Sequence, residues 1–209
     1  MPLPEENLAL DENLLELGRE SFRVWESPEH FVVLGRSGKV EEEVNVAACQ
    51  AAGIAILRRS SGGGTALQGP GCLNFACTLS LRRWPALANV PASYEILLGR
   101  LTHALGIPGL EVCGTDILLR GRKISGNAQR RTRDWLLHHG TILYGLDLGL
   151  MERVLREPPR QPAHRGRRTH RQFVTALDVT KTSLEQSINT FWNDLSCPEP
   201  SDYPKVTRQ

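Results

Sequence analysis

Gly62, Gly63 and Gly64 stand in a row within Arg58-Arg59-Ser60-Ser61-Gly62-Gly63-Gly64-Thr65, and no regular helix or strand can run through them undisturbed. Each glycine gives up roughly 0.5–1 kcal/mol relative to alanine in regular structure, and in return the backbone can take positive φ and approach a ligand closely. The run follows four apolar residues at 54–57, which read as a short buried strand. Successive backbone N–H groups in such a turn can form an anion nest. With the Arg58 and Arg59 guanidiniums and the Ser60 and Ser61 hydroxyls beside it, the loop suits a carboxylate or a phosphate.

Patterning around this loop mixes strands and helices without strict alternation, which predicts an α+β fold on a central, largely antiparallel sheet. Helices are expected over residues 7–18, with Gly18 as the C-terminal cap, and over 44–52, preceded by acidic Glu41, Glu42 and Glu43. Further helices are expected over 91–105, 147–156 and 183–195; the last carries Leu184, Ile188, Phe191, Trp192 and Leu195 at helical spacing. Strands are expected over 22–25, 31–34, 54–57 and 72–81, then over 117–119, 123–129 and 135–143 as successive antiparallel neighbours turned at Arg120-Gly121-Arg122. In the 72–81 stretch Leu73, Phe75, Cys77, Leu79 and Leu81 make a core face. The opposite face, with Asn74, is small and polar, as a cavity wall would be.

At 209 residues and 40% hydrophobic content the chain supports one well-buried core, so residues 1–195 are expected to form a single domain, followed by a proline-containing tail over 196–209. A formal net charge of +2 and the absence of an aromatic stacking set argue against a nucleic-acid binder. No apolar run reaches the ~18 residues of a membrane helix, and the N-terminal residues lack the pattern of a signal peptide. The five cysteines are odd in number and form no CxxC pair, which supports neither a disulfide framework nor a zinc site and fits a reducing cytoplasm. Only four of the 25 basic residues are lysines, and one of them, Lys123, stands in Gly121-Arg122-Lys123-Ile124-Ser125-Gly126-Asn127-Ala128-Gln129. On a regular strand Lys123, Ser125, Asn127 and Gln129 would share one face, an ammonium followed by three hydrogen-bonding groups. An ammonium opposite a guanidinium and a glycine nest is what acyl-adenylate chemistry asks for, because charge builds on carboxylate and phosphate oxygens in the transition state. His138 and His139 fall on opposite strand faces and cannot ligate one ion together.

Residues 58–65, 121–131 and His138-His139-Gly140-Thr141-Ile142-Leu143, in that order and at those separations, resemble the lipoate-protein ligase A and lipoyl/octanoyl transferase family. Asn7-Leu8-Ala9-Leu10-Asp11-Glu12, Val33-Leu34-Gly35-Arg36 and Gly114-Thr115-Asp116-Ile117 extend the resemblance, which reaches to about residue 177. It implies a fold akin to the biotin-ligase catalytic domain. The acyl chain and its activated carboxylate would lie at Arg59, Ser61, Gly62, Gly63, Gly64 and Thr65, and Lys123 would contact the acyl carbonyl or phosphate. Asn74, Asp116, Ser125, Gly126, Asn127, His139, Gly140 and Thr141 would complete the site. The resemblance further implies ATP with Mg2+ as co-substrate, lipoate or octanoate as substrate, and a lysine of an acceptor lipoyl-domain protein as the target. Gln68-Gly69 stands where family ligases often carry His-Asp, which bears on nucleotide handling. No counterpart of the C-terminal accessory domain of larger ligases is expected, so that either a separate accessory partner supports transfer or the chain does not need that domain. The runner-up reading is a thiol-dependent acyltransferase using Cys113 or Cys72 as nucleophile, with Lys123 close enough to Cys113 to lower its pKa. The arginine-rich stretch 156–171 reads as a mobile, positively charged loop that meets an acidic acceptor.

Overall fold

A computed structural model describes residues 2–196. Two sheets carry the fold. The larger has six antiparallel strands in the order β1-β5-β9-β8-β7-β6: β1 (Ser21–Trp25), β5 (Cys72–Ser80), β9 (Trp135–Leu143), β8 (Arg122–Arg131), β7 (Asp116–Leu119) and β6 (Leu110–Cys113). The smaller has β2 (Phe31–Leu34) at its centre, parallel to β3 (Ala55–Arg58) and antiparallel to β4 (Ala66–Gln68). β1 and β2 are neighbours in sequence but belong to different sheets. The α+β reading of the sequence is borne out.

One face of the large sheet is closed by α4 (Val90–Leu105) and α7 (Lys181–Ser196). Leu73, Phe75, Cys77 and Leu79 of β5 pack there against Leu97, Leu98 and Leu101 of α4 and Ile188 and Phe191 of α7, the face that alternation assigns to the core. The other face of β5 is buried too. Ala76 lies under Leu15 of α1 (Pro4–Glu16), while Cys72 joins a second core shared with the small sheet and α5 (Leu148–Val154). Strand β2 is buried on both faces, with Val32 and Leu34 in that second core and Phe31 and Val33 in a third beside Leu8 and Trp25. That double burial explains why it reads as an unbroken apolar run.

Four sequence expectations need correction. Helix α1 starts at Pro4, because proline is accommodated at the first helical position, where its missing N–H costs nothing. The helix expected at 44–52 is split in two: Val40–Glu43 (α2) takes in the acidic triplet itself, and Asn45 caps Val46–Ala51 (α3) by accepting from Ala48 N. Strands β4 and β6 were hidden, since three or four residues carry too little alternation to register. The stretch 160–171 is not a plain loop: it contains a 3-10 turn (Ala163–Arg165) and the start of α6 (His170–Phe173), whose Thr169 forms a reciprocal cap with Gln172. Arg120 and Gly121 both take positive φ, as a two-residue hairpin turn between β7 and β8 requires. The expected tail, from residue 197 on, lies outside the described residues.

Candidate active site

Five strands of the large sheet each contribute one residue to a row: Trp25, Asn74, Thr141, Gly126 and Asp116 are successive cross-strand partners from β1 to β7. All five line a cavity of about 190 Å³ between the two sheets. That is far more than the roughly 10–15 Å³ one water needs. At about 4.8 Å per strand the row spans roughly 19 Å.

Lys123 reaches this row because β8 is irregular. Ile117 lies opposite Ser125 but Leu118 lies opposite Lys123, so Ile124 is taken up as the extra residue of a β-bulge. The bulge puts Lys123 on the same face as Gly126 and Ala128 and sets the Ser125, Asn127 and Gln129 side chains on the other, although Asn127 still contributes to the cavity lining. The single shared face expected from regular alternation is therefore wrong. Ser125 is fully buried and receives the Asn127 side-chain N–H at 3.1 Å, and Gln129 bonds Ser93 of α4. Lys123 Nζ folds across Gly126, where a Cβ would lie 2.7 Å from it, and pairs with Asp116 Oδ1 at 2.7 Å. The second Asp116 oxygen holds His164 Nε2 at 2.9 Å.

Opposite, the glycine loop is braced by its own arginines. Arg58 Nη1 donates to the carbonyls of Gly35, Arg36 and Gly38, fastening the neighbouring turn. Arg59 Nη2 donates to the Gly62 and Gly64 carbonyls at 2.7 and 2.8 Å, its Nη1 to Val33 O and its Nε to Ser61 Oγ. These bonds hold the Gly62 and Gly64 carbonyls toward the Arg59 guanidinium. Burial pulls the Arg59 pKa down to about 10, opposed by the Glu43 carboxylate. Gly63 takes φ +89°, whereas Gly62 and Gly64 have room for a Cβ. Ser61 Oγ and His139 Nε2 are 2.6 Å apart, and Ser60 N donates to Glu12 of α1. Gly63, Gly64 and Thr65 line the cavity; Ser61 and Gly62 stand behind them.

The apolar walls come from both smaller cores: Leu8 and Ala66 on one side, Leu143, Met151, Leu155 and Phe173 on the other. Gln68, in β4 opposite Phe31, is buried with its Oε1 unpartnered, and so is Trp25 Nε1. Asp11 of α1, paired with Arg23, adds a carboxylate whose pKa burial raises to about 6. Residues 156–173 form the cover. Arg165 is buried against Glu157 and lies, with Arg168, over the Phe173 ring at 5.3 and 4.9 Å, and Arg168 Nη1 reaches Gly121 O. Both arginines are structural, in contrast to the mobile basic loop expected from the charge run.

The lipoyl protein ligase A/B catalytic domain family matches residues 3–195. The chain belongs to that family.

Among relatives, a provisionally named lipoate-protein ligase A of Aeropyrum pernix is 30% identical over 190 residues, covering 88% of this chain and 67% of that protein. A similarly named Schizosaccharomyces pombe protein is matched over 44% of its length. The octanoyltransferase LipM of Brevibacillus brevis is 25% identical, over 90% of this chain and 80% of its own. A bi-partite lipoate protein ligase of Thermoplasma acidophilum, solved in a study that included its E2 lipoyl domain, superposes with a TM-score of 0.77 at 21% identity, covering 93% and 80% of the two chains. A lipoate-protein ligase A bound with ATP gives 0.72 at 21% identity, over 90% and 78%. The lipoyl ligase A/B family thus spans ligases and octanoyltransferases.

Within this lipoyl ligase A/B domain no described cysteine lines the cavity. Cys72 is fully buried and burial pushes its thiol up to about 12. Cys113 packs at the margin of the second core, and the Lys123 ammonium expected to activate it is held by Asp116 instead. No helix among the described residues is long and apolar enough to cross a membrane.

His138 and His139 divide as their alternation implies. His138 is buried between Phe75 and Tyr94 with Nδ1 near Gln129, and His139 faces the cavity. Burial, reinforced by Arg131 for His138 and by Arg59 for His139, lowers both to about 3. Both therefore fold neutral, and stability present above pH 6.5 is lost as the unfolded chain takes up their protons on acidification. Each contributes about 2 kcal/mol of loss by pH 5, at roughly 1.4 kcal/mol per pH unit. Asp11 opposes them with about 1.4 kcal/mol, since its raised pKa favours the folded state below 6. Denaturant unfolding at pH 7 and pH 5 should show a net loss, and His138→Gln should flatten the slope. An unchanged slope would mean that His138 titrates normally in the fold.

Half-buried side chains whose contacts the sequence does not reveal include His164 and Glu43. His164 was visible only as one basic residue among many, because its partner Asp116 is 48 positions away.

Proposed function

We propose that this chain forms an acyl-adenylate from lipoate or octanoate and ATP, then passes the acyl group to a lysine of an acceptor lipoyl domain. One observation carries the reading: the Lys123–Asp116 pair stands over Gly126 on a cavity floor that faces the glycine loop, while no described cysteine reaches that cavity. In the first step a substrate carboxylate oxygen bonds the α-phosphorus and the Pα–O bond to pyrophosphate breaks. Lys123 and the loop amides meet the negative charge that develops on carboxylate and phosphate oxygens. In the second step the acceptor amine attacks the acyl carbonyl, a C–N bond forms, AMP leaves, and the amine gives up a proton. The apolar walls exclude water, which would otherwise hydrolyse the mixed anhydride. Mg2+ would arrive with the nucleotide, held largely by phosphate oxygens.

Incubation with ATP and either acid, followed by mass spectrometry, tests the reading: the acyl-adenylate is expected, and an acyl-enzyme thioester would favour the octanoyltransferase reading that the LipM relative supports. Cys113→Ser is expected to keep near-wild-type adenylate formation, since an adenylate route needs no thiolate. Complete loss in a folded Cys113→Ser protein would hand the reaction to a thioester mechanism.

With Arg165 and Arg168 spent on the fold, exposed Arg160 and Arg167 are left to meet an acidic acceptor. Arg160→Gln combined with Arg167→Gln is expected to slow transfer several-fold at low salt, with the difference fading as salt rises and adenylate formation untouched. An equal loss in both half-reactions would place these arginines at the nucleotide.

A further inference from the structure

We propose that Glu43 is a positioning residue that locks the glycine loop to the segment covering the cavity. The inference deepens the adenylate reading of the same site and rests on it for its catalytic consequence only. Of the acidic triplet in α2, Glu42 pairs with Lys39 on the exposed surface, at 2.6 Å. Glu43 turns inward. Its Oε2 accepts the Thr65 hydroxyl at 2.6 Å, and Thr65 lines the cavity together with Gly63 and Gly64. Its charge also opposes the desolvation of Arg59, the guanidinium that organises the loop carbonyls.

The backbone of the same residue reaches the other side of the site. Glu43 O accepts from Arg156 N at 3.0 Å, and Val44 O accepts from Arg156 Nε at 3.1 Å. Val44 and Leu155 form an isolated antiparallel bridge, and Asn45 N donates to Val154 O. Arg156 opens the covering segment, which carries His164 to Asp116 and, through it, to Lys123. A line of polar contacts, completed by the Glu157–Arg165 ion pair and by the chain steps 156–157 and 164–165, therefore joins Thr65 to the catalytic candidate Lys123 around the rim. A carboxylate that served only α2 would make no bond to Thr65, and one that served only the loop would not be seated at the attachment point of the cover.

If the link sets geometry, cutting it at either end should have the same effect. Glu43→Ala and Thr65→Val are each expected to lower kcat/KM for adenylate formation by about 10- to 100-fold, the range that misplaced reacting groups show. The double variant should be no worse than Glu43→Ala alone, since the two act as one unit. Glu43→Gln keeps an acceptor for the Thr65 hydroxyl and should recover part of the loss. Multiplying losses, or unchanged rates in both single variants, would overturn the proposal. Hydrogen exchange in the absence of substrate provides a readout that needs no turnover: Thr65→Val should speed exchange over 156–173 as well as over 58–65, although Thr65 bonds nothing in the covering segment. Faster exchange confined to the loop would also overturn it. If the wild type makes no adenylate, the functional reading fails, and the exchange result still decides the link.

Discussion

Lys123→Ala is expected to reduce adenylate formation by about 10²- to 10³-fold, the cost of removing one preorganised charge from a transition state, while the protein stays folded. The side chain is 30% exposed and packs in none of the cores, so truncation leaves no cavity in them. It also frees Asp116, whose carboxylate is nearly buried and keeps His164 as its other partner. Because an unpaired buried carboxylate is itself costly, Lys123→Ala with Asp116→Asn should be more stable than Lys123→Ala alone and no more active. Lys123→Arg should not rescue: a guanidinium is a planar fork where a compact ammonium folds across Gly126. A folded Lys123→Ala protein with near-normal activity toward every acyl donor would show that the site is elsewhere.

Gly35→Ala is expected to be nearly as damaging by a different route. A Cβ on Gly35 would lie 2.1 Å from Gly63 O and 3.0 Å from Gly63 C, and backbone atoms cannot rotate away. Arg36 N donates to Ser61 O at 2.8 Å next to the collision, so the two segments cannot separate without losing that bond. Overpacking of this kind costs about 1–3 kcal/mol, and here the displaced atoms belong to the glycine loop itself. The denaturant midpoint should fall and adenylate formation should fall with it. Gly62→Ala and Gly64→Ala provide the contrast: their Cβ positions meet nothing within 4 Å and neither φ is positive, so both should fold normally, and only Gly64→Ala, at the cavity wall, should lose ligand affinity. Equal midpoints for Gly35→Ala and the wild type would refute the close approach.

That contrast shows where the sequence was readable and where it was not. Glycine clustering correctly marks a loop at the cavity, because no regular element tolerates it. Which glycine needs its conformation, and which merely leaves room, depends on the turn that follows β2, 28 positions upstream, from Gly35 to Gly63. Arg59 was legible as part of the loop but not in its orientation. A guanidinium beside a glycine nest reads as an anion ligand, yet its donors are taken up by carbonyls of the loop it braces. The face of Lys123 was misjudged for one reason: a single extra residue at Ile124 reverses the alternation, and nothing in the composition of 122–131 announces a bulge. Helix α7 and strands β2 and β5 were readable because their periodicity runs long or their burial is complete. The covering segment was not, since Arg165 and Arg168 find their partners, Glu157 and Phe173, only through the fold.

The floor of the cavity crosses the sheet, with Trp25, Asn74, Thr141, Gly126 and Asp116 drawn from five strands. Its spacing is therefore set by main-chain hydrogen bonding and is indifferent to side-chain replacement. A ligand laid along it is measured against a fixed ruler whose five marks can be recut one at a time. Divergence in acyl preference between descendants of such a domain needs no insertion or loop rebuilding, only isolated exchanges at positions scattered between residues 25 and 141, and comparison of short motifs would not detect it.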